Sequence, residues 1–372
     1  MTVTAPVSSR DAIDPQTFLI DTDVHEILTD RTQLLPHLDP VWQRHLTELG
    51  GVFQGPGLSI PSMFPYTTPG DFRQDWINDE GGVVPASSVE LTRRQLLEGE
   101  GVSIAILNGL CQMSNMPGNY DYARALASAY NDWQIEYWLD KEPRLRGSIH
   151  VVADDPALAA REIDRAAAHP QMVQVFLPTI SDRQYGDPRY WPIYEAALRN
   201  DLVVTFHHGV HSKTGLGYPR TWFEWHSMTP PHSGQNQILS LIGNGVFDKY
   251  PELKAVFLEC GVGWLPWFMA RTDEQYRETR MIIPWVKRLP SEYMRDNIRL
   301  STQPMSDISR SEFSRMIEET RAEDIFMFST DYPHYDADSV HIVLPESMDE
   351  SLRLRLRYQN ALATYPRLAS LA

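Results

Sequence analysis

The feature that most restricts the fold of this chain is a repeated alternation between short apolar, β-branched segments and longer amphipathic stretches. The clearest helical stretches are residues 122–140, 156–168, 191–200 and 310–320. The eight strand candidates are residues 18–23, 102–107, 146–152, 172–177, 202–207, 253–259, 297–301 and 324–330. Strands that alternate with helices are typical of βαβ units, and eight of them predict an α/β fold, the closed (β/α)8 or TIM barrel.

Two long segments interrupt this alternation. Residues 27–100 separate the first two strands, and residues 208–245 follow the fifth strand. Loops that follow strands lie at the C-terminal mouth of a barrel, so we expect both insertions there, as walls of a substrate pocket or as a lid. The domain prediction is a flexible N-terminal tail at 1–15 and a single metal-dependent barrel domain at 16–372.

Charge and composition disfavour several other classes of protein. The chain has 49 acidic and 33 basic side chains, a formal charge of −16, and such a surface repels nucleic-acid phosphates. No apolar run approaches the ~18 residues of a membrane span, and the N-terminus lacks the features of a signal peptide. The two cysteines, Cys111 and Cys260, match neither a disulfide framework nor a zinc cluster. We expect a cytoplasmic protein that acts on a small molecule, with homo-oligomerisation left open.

Acidic residues and histidines stand at the ends of four predicted strands. The first strand runs into Asp23 and His25, which share one face because side chains alternate along an extended segment. The fifth strand ends at His207, the sixth at Glu259, and the eighth runs into Asp331. The carboxyl ends of barrel strands meet at one mouth, where such enzymes place their catalytic groups. The pattern therefore predicts a metal centre with these side chains as ligands.

Each of these residues also has a purely structural interpretation. A single Asp after a strand commonly caps a turn or helix, and a single His is commonly a hydrogen-bonded core residue. Four independent strand ends that all finish in Asp, Glu or His are hard to explain as caps, so we favour the metal centre. Cys260 is interpreted as a small buried spacer rather than a nucleophile, because no charged partner other than Glu259 adjoins it.

Histidines and aromatic residues are dense around these ligands. His226 and His334 are predicted as further metal ligands, and the five histidines between positions 207 and 232 leave room for a second metal. Other potential donors nearby are Glu26, His208, His211 and His232. Aromatic residues suit the pocket of a large apolar substrate, although ordinary packing explains them equally well. The predicted substrate-binding residues are Trp222, Trp225, Trp264 and Tyr332.

Four sequence motifs together resemble one protein family. They are IDTDVH (20–25), FHHG (206–209), NGVFDKYPELKAVFLECGVGWLP (244–266) and FSTDYPH (328–334). In combination they resemble the amidohydrolase-2 branch of the amidohydrolase superfamily. Members of that branch are metal-dependent decarboxylases, hydratases and hydrolases built on a (β/α)8 barrel. The resemblance runs from about residue 17 to about residue 340, nearly the whole predicted barrel.

The same resemblance locates departures from the family pattern. Asp23 and His25 stand where the family has His-x-His, and Glu259 stands where it has a histidine after strand six. His207 and Asp331 match the family's strand-five histidine and strand-eight aspartate. No lysine ends the fourth strand, so the carbamylated lysine that bridges two metals in other branches is absent. Carboxylates in place of imidazoles favour Fe or Mn over Zn.

The variant pattern D-x-D-x-H-E, with LECG-x-GW and TDYPH, resembles a subgroup of TIM-barrel non-haem diiron monooxygenases of platensimycin and platencin biosynthesis. That resemblance implies an oxidoreductase of antibiotic biosynthesis with two irons. It would use O2 to hydroxylate a bulky, CoA-linked terpenoid, with Glu259 and His207 as catalytic residues. Two alternatives stay open. One is a hydrolase or non-oxidative decarboxylase of the amidohydrolase-2 type, with a single Zn or Mn and Glu259 as general base. The other is a barrel that binds a ligand without turnover.

Overall fold

A computed structural model of the protein describes residues 14–48, 72–79, 81–109, 119–181, 183–208, 220–305 and 308–371. The predicted N-terminal tail lies almost wholly outside these ranges, as do His211 and Cys111. The division into a tail and a single domain therefore stays a prediction.

The centre of the fold is a barrel of eight parallel strands, each paired with the next in chain order. The strands are β1 (Ile20–Val24), β2 (Ile104–Leu107), β3 (Leu145–His150), β4 (Met172–Pro178), β5 (Val203–His207), β6 (Ala255–Leu258), β7 (Ile298–Ser301) and β8 (Phe326–Met327). Next to β8 the barrel closes on β1, because the Thr22 N–H donates to Phe328 O (3.1 Å) and the Asp331 N–H to Asp23 O (3.0 Å). The predicted (β/α)8 barrel and its eight strands are confirmed.

Helices lie between the strands, and four of them match the four predicted helical stretches. The α-helices are α1 (Pro40–Glu48), α2 (Gln74–Asp79), α3 (Val89–Thr92), α4 (Tyr120–Tyr137), α5 (Pro156–Ala166), α6 (Trp191–Arg199), α7 (Trp222–Gly243), α8 (Val246–Lys249), α9 (Leu265–Thr279), α10 (Pro290–Asn297), α11 (Arg310–Thr320), α12 (Val340–Val343), α13 (Glu350–Leu354) and α14 (Asn360–Thr364). Short 3-10 helices occupy Arg31–His37, Leu139–Lys141, Pro188–Tyr190, Arg280–Ile282 and Pro366–Leu371. Short π-helical segments occupy Arg93–Glu98 and Arg355–Gln359.

Local sequence signals explain where several helices begin. The Asp155 carboxylate accepts hydrogen bonds from two backbone N–H groups of the first turn of α5, and Pro156 takes the first helical position. Helix α7 begins with a capping box, in which Thr221 and Glu224 each accept from the other's backbone N–H. This cap fixes the start of the helix that crosses the barrel mouth.

The two insertions and the C-terminus complete the barrel at its two ends. Residues 27–100 contain α1 to α3, and the segment 208–245, read only as an insertion from sequence, contains the 22-residue helix α7. At the opposite end, Tyr365 and Leu368 pack into the barrel interior with Ile20 and the other inward-facing apolar residues. The described residues therefore close the barrel at its base, on the side away from the strand ends that carry Asp23 and His207. No helix within the described ranges is long and apolar enough to span a membrane.

Candidate metal centre

Four strand ends bring two carboxylates and two imidazoles together at the mouth of the barrel. Asp23, His25, His207 and Asp331 are all buried, and each offers a ligand atom within 4.8 Å of the others. His25 Nε2 lies 3.0 Å from Asp331 Oδ1 and 3.3 Å from Asp23 Oδ1. His207 Nε2 lies 3.8 Å from Asp23 Oδ2. We call these four residues the buried quartet.

The backbone at two of the strand ends adopts a conformation that side chains rarely allow. Glu259 has φ +50° and Asp331 has φ +63°, both in the left-handed region. For residues other than glycine this region costs of order 1–3 kcal/mol, and such strain clusters at functional sites. Neighbouring strands hold both positions, since the Glu259 N–H donates to Ser301 Oγ (2.8 Å) and the Asp331 N–H donates to Asp23 O.

Backbone carbonyls orient the two imidazole rings of the quartet. His25 Nδ1 lies 2.5 Å from Gly109 O, and His207 Nδ1 lies 2.5 Å from His208 O. A carbonyl oxygen can only accept a hydrogen bond, so in each ring Nδ1 carries the proton. In the neutral form of each ring, Nε2 therefore turns a lone pair towards the carboxylates. This is the orientation of histidines that bind metals.

The quartet fits a divalent cation. Without a positive charge between them, the lone pair of His25 Nε2 would face the oxygens of Asp23 and Asp331. Asp23 Oδ2 is buried and has no hydrogen-bond partner in the part of the chain that the structure describes. Burial alone would lower the pKa of His25, but the two carboxylates outweigh burial and raise it well above its usual value. The site therefore attracts positive charge, and its oxygen and nitrogen donors suit Mn²⁺, Fe²⁺ or Zn²⁺.

Glu259 lies beside the quartet and joins it to a second set of histidines. One of its oxygens lies 3.3 Å from His207 Nε2 and 2.5 Å from His208 Nε2, and the other lies 3.2 Å from His226 Nε2. Burial would raise the pKa of Glu259, but these imidazoles outweigh it and hold the pKa well below its usual value. Glu259 is therefore an ionised carboxylate.

His226, His334 and Asp336 form the outer part of the site. His226 Nε2 lies 3.7 Å from Asp336 Oδ2, and His334 Nδ1 lies 2.8 Å from Asp331 Oδ1. The His334 ring also packs on the His25 ring, with centroids 4.6 Å apart. Burial and the carboxylates of Asp331 and Glu259 raise the pKa of Asp336 to about 7. Acidic and imidazole groups thus continue outwards from the quartet.

Two of the additional predicted donors lie away from this site. Glu26 turns in the opposite direction from His25 and accepts hydrogen bonds from Gly109 and Tyr130. His232, on α7, belongs to none of the donor groups that the described residues form. His211 lies outside the described residues. Glu26 and His232 are therefore not donors to this site, although both lie near candidate ligands in the sequence.

The predicted aromatic residues divide into two groups. Trp222 stacks on His226 with ring centroids 5.2 Å apart, and Trp225 packs against His208 at 5.3 Å. Both therefore wall the outer site. The Tyr332 hydroxyl instead donates to Gln95 (2.6 Å), and Trp264 Nε1 donates to Cys260 O (2.8 Å). These two side chains are engaged in packing the loops behind the site.

Three polar residues of the site were missed by the sequence reasoning. Asn108 follows β2 and donates to Asp23 Oδ1 (2.7 Å). His150 ends β3 and is buried beside Phe176 of β4, with ring centroids 4.9 Å apart. Asp336 follows Asp331 by five positions. Two features of the sequence could have identified these residues. One is the polar residue at the end of β2 and of β3, and the other is the D-x-x-H-x-D spacing after β8.

Comparison with known proteins identifies relatives along nearly the whole barrel. The sequence profile of the family described as Amidohydrolase matches residues 20–367. A curated relative, the gamma-resorcylate decarboxylase of Polaromonas sp. (strain JS666 / ATCC BAA-500), is 26% identical over 292 residues, which cover 71% of this chain and 86% of the relative.

Solved structures share the fold. The dihydroxybenzoic acid decarboxylase of Polaromonas sp. JS666, with bound manganese and the inhibitor 2-nitroresorcinol, superposes with a TM-score of 0.68 at 21% identity, covering 95% of this chain and 98% of that one. The 5-carboxyvanillate decarboxylase of Novosphingobium aromaticivorans DSM 12444, with manganese and 4-hydroxy-3-methoxy-5-nitrobenzoic acid, gives 0.70 at 19% identity, covering 95% and 97%.

These relatives correct the functional prediction. The expectation of an oxidoreductase, a non-haem diiron monooxygenase of antibiotic biosynthesis that uses O2 and a CoA-linked terpenoid, is wrong, because the relatives are decarboxylases of small aromatic acids. The physical reason lies in the ligand set. Carboxylates at positions 23 and 259 make the site harder, and hard oxygen ligands suit Mn²⁺ as well as iron. Ligand hardness therefore did not distinguish oxygen chemistry from non-redox chemistry.

Proposed function

The chain belongs to the Amidohydrolase family, and on this premise we propose that it is a metal-dependent, non-oxidative decarboxylase of a small aromatic carboxylic acid. The observation that carries the proposal is the buried quartet at the barrel mouth, in a chain that resembles decarboxylases over most of its length. Of the alternatives considered from sequence, the proposal takes the non-oxidative decarboxylase with one manganese ion.

The buried quartet is the proposed metal site. Asp23 and Asp331 contribute oxygens, and His25 and His207 contribute Nε2, already freed by the hydrogen bonds at Nδ1. A bound divalent ion would supply the positive charge that holds and polarises the oxygens of the substrate. The quartet lies at the base of the mouth, so an acid that enters from solvent meets the aromatic walls first and the metal site last.

Decarboxylation requires a proton at the carbon that loses CO2. When the carbon–carbon bond breaks, its electron pair stays on the ring carbon, and one proton is consumed for each CO2 released. We assign this proton to the pair His226 and Asp336, which lie 3.7 Å apart at the outer, partly exposed edge of the site. The raised pKa of Asp336, about 7, keeps a proton available near neutral pH. Solvent can restore the proton after each turnover.

Glu259, predicted as a metal ligand and a catalytic residue, is assigned a different task. Its ionised carboxylate is hydrogen-bonded to His226 Nε2 (3.2 Å), and its other oxygen lies 2.5 Å from His208 Nε2 and 3.3 Å from His207 Nε2. These contacts fix the rings and stabilise positive charge on His226. Glu259 is thus the anionic anchor of the proton-donating pair, and no proton has to leave it.

His334, also predicted as a metal ligand, is proposed to hold Asp331. Its Nδ1 lies 2.8 Å and 3.0 Å from the two Asp331 oxygens, and its ring packs on His25. A hydrogen bond from an imidazole to a ligating carboxylate fixes the orientation of that carboxylate. One metal ion in the quartet then leaves His334 as a partner of a ligand.

Aromatic substrate recognition is assigned to the outer wall. Trp222 and Trp225 lie 4.9 Å apart by ring centroids, and Trp222 stacks on His226. Trp225 is fully buried, so a flat aromatic acid would pack against the exposed part of Trp222 while its carboxylate faces the quartet. This arrangement would place the ring of the acid next to the proton-donating pair.

Anaerobic turnover tests the proposal. The protein would be stripped of metal, reconstituted with Mn²⁺, and incubated under argon with gamma-resorcylate and with 5-carboxyvanillate in D2O. We expect release of CO2 and a phenolic product with one deuterium at the vacated carbon, detected by mass spectrometry. The metal-free protein is the control and should give no product. Turnover that requires O2, or the absence of CO2 release from both acids at full manganese occupancy, would contradict the proposal.

A further inference from the structure

Glu26 follows His25 directly in sequence but faces the other side of β1. Its carboxylate is 1% exposed and lies between the barrel and α4. One oxygen accepts from the Gly109 N–H (2.9 Å), and the other accepts from the Tyr130 hydroxyl (2.7 Å) and from Gln134 Nε2 (2.5 Å). Three donors therefore hold this buried carboxylate in one position.

Gly109 connects Glu26 to the metal site. Its N–H donates to Glu26, and its carbonyl accepts the proton of His25 Nδ1. The two backbone groups flank a single Cα, so a displacement of that atom alters both hydrogen bonds. The orientation of the His25 ring thus depends on a backbone segment that Glu26 holds.

No other residue type fits at position 109. Gly109 has φ +59°, where residues with a side chain are strained. A Cβ atom at this position would lie 2.4 Å from the Tyr130 hydroxyl oxygen. The Tyr130 hydroxyl that holds Glu26 therefore also packs against the glycine that Glu26 binds, and the three residues form one closely packed unit.

We propose that Glu26 is a positioning residue for the metal ligand His25, acting through the Gly109 backbone. The proposal rests on the metal site of the proposed function. Glu26 holds Gly109, the Gly109 carbonyl holds His25 Nδ1–H, and His25 Nε2 then faces Asp23 and Asp331. In many metalloproteins a carboxylate binds the ligating histidine directly. Here a peptide segment lies between the two, so the negative charge of Glu26 stays away from the metal.

Substitutions at Glu26 separate positioning from simple packing. Glu26→Gln keeps the size of the side chain but presents an amide N–H₂ to groups that donate hydrogen bonds. Its matched control is Glu142→Gln. Glu142 is also buried and accepts from arginines, Arg93 and Arg144, but it lies at the opposite end of the barrel beside the start of β3. A packing role predicts loss of stability in both variants and loss of metal affinity in neither.

Two readouts test the proposal on the full chain. The first is the Mn²⁺ dissociation constant, measured by the electron paramagnetic resonance signal of free Mn²⁺. We expect Glu26→Gln to weaken binding by about 10- to 100-fold and Glu142→Gln to leave it within about twofold. The second is the hydrogen bond of the His25 Nδ1–H, measured as the chemical shift and solvent exchange of this proton in ¹⁵N-histidine-labelled protein and assigned against a His25→Gln variant. Wild type should show a downfield, slowly exchanging Nδ1–H, and Glu26→Gln should show one that exchanges faster.

The outcomes distinguish this proposal from the proposed function. If wild type lacks decarboxylase activity, the His25 Nδ1–H hydrogen bond and the Mn²⁺ affinity still decide the role of Glu26. If Glu26→Gln does not fold, Tyr130→Phe removes one donor and should give a smaller change in the same direction. An unchanged exchange rate of the His25 Nδ1–H and unchanged Mn²⁺ affinity in Glu26→Gln, or in Tyr130→Phe where only that variant folds, would overturn the proposal.

Discussion

The mouth of the barrel and the interior directly beneath it are both polar, but they differ in how their polar groups are satisfied. At the mouth, carboxylates and imidazoles crowd together, and Asp23 Oδ2 has no hydrogen-bond partner among the described residues. In the interior, Gln174 is the centre of a neutral network. Its amide N–H₂ donates to Asn108 and Ser148, and its carbonyl accepts from Thr205 and Tyr365.

The difference separates groups that serve stability from groups that serve function. Both the amide N–H₂ and the carbonyl oxygen of Gln174 have hydrogen-bond partners, so this network needs no added ligand. The quartet at the mouth needs a cation to balance its carboxylates. Asn108 joins the two regions, because it accepts from Gln174 and donates to Asp23 Oδ1 (2.7 Å). The interior therefore holds the floor of the metal site in place.

The largest expected effect is loss of metal from the mouth. His207→Ala should weaken Mn²⁺ binding by more than ~100-fold, since removal of a ligand costs more than removal of a residue that holds one. The circular dichroism spectrum should not change, because the barrel interior is intact. Metal content after dialysis measures the loss of Mn²⁺ binding, and a thermal melt measures whether the fold is intact. A His207→Ala protein that retains full manganese would place the metal elsewhere.

The next effect concerns proton supply at the outer site. Asp336→Asn should lower the decarboxylation rate at pH 7 by about 100-fold, within the range of general acid catalysis. Because the pKa of Asp336 is raised to about 7, its protonated fraction falls as pH rises through 7. The wild-type rate should therefore be flat below pH 7 and fall above it. Asp338→Asn, two residues further along the chain, is the control. An unchanged pH–rate profile in Asp336→Asn would remove Asp336 from the mechanism.

A smaller effect should appear in acid stability. Burial lowers the pKa of His150 to about 3. At a pH below about 6.5, the usual pKa of histidine, the ring is therefore neutral in the folded protein and protonated in the unfolded protein. Stability is therefore lost as pH falls from about 6.5 towards 3. Between pH 7 and pH 4.5 the loss from this group is about 2–3 kcal/mol.

His150→Phe should abolish that part of the acid sensitivity. Urea unfolding at pH 7 and pH 4.5 measures it, with the partly exposed His169→Gln as control. Equal pH dependence in wild type and His150→Phe would mean that His150 is charged in the folded protein.

The smallest effect belongs to the interior network. Tyr365→Phe removes the hydroxyl that donates to Gln174 Oε1 (3.0 Å) and leaves the packing of the ring. The free energy of unfolding should fall by about 1 kcal/mol, and the Mn²⁺ affinity should stay within about twofold. Urea titration measures the free energy of unfolding, and an Mn²⁺ titration measures the metal affinity. A large loss of metal affinity would show that the base of the barrel and its mouth are not separable.

The same contrast explains what could be predicted from the sequence. The strand ends were predictable, because alternation and burial place Asp23, His25 and His207 without knowledge of distant contacts. Helix α7 was not, because Pro230 and Pro231 lie inside it and proline normally ends a helix. His150 was not recognised, because only the closed barrel shows that its ring is buried beside β4.

The choice of chemistry was even less accessible from sequence. Asp23 and Glu259 show that the site is rich in oxygen, but oxygen donors suit both manganese and iron. The direction of Glu26 depends on Gly109 and Tyr130, which are distant in sequence. The candidate ligands were thus visible at single positions, whereas the proposed reaction required the comparison with relatives.

Anomalous X-ray diffraction at the manganese edge shows whether the buried quartet holds one metal ion. Crystals of the Mn²⁺-reconstituted protein should give a single anomalous peak within about 2.0–2.3 Å of Asp23, His25, His207 and Asp331. Glu259 should lie outside bonding distance and remain hydrogen-bonded to His226. Two peaks bridged by Glu259, or no peak among the four residues, would contradict the account.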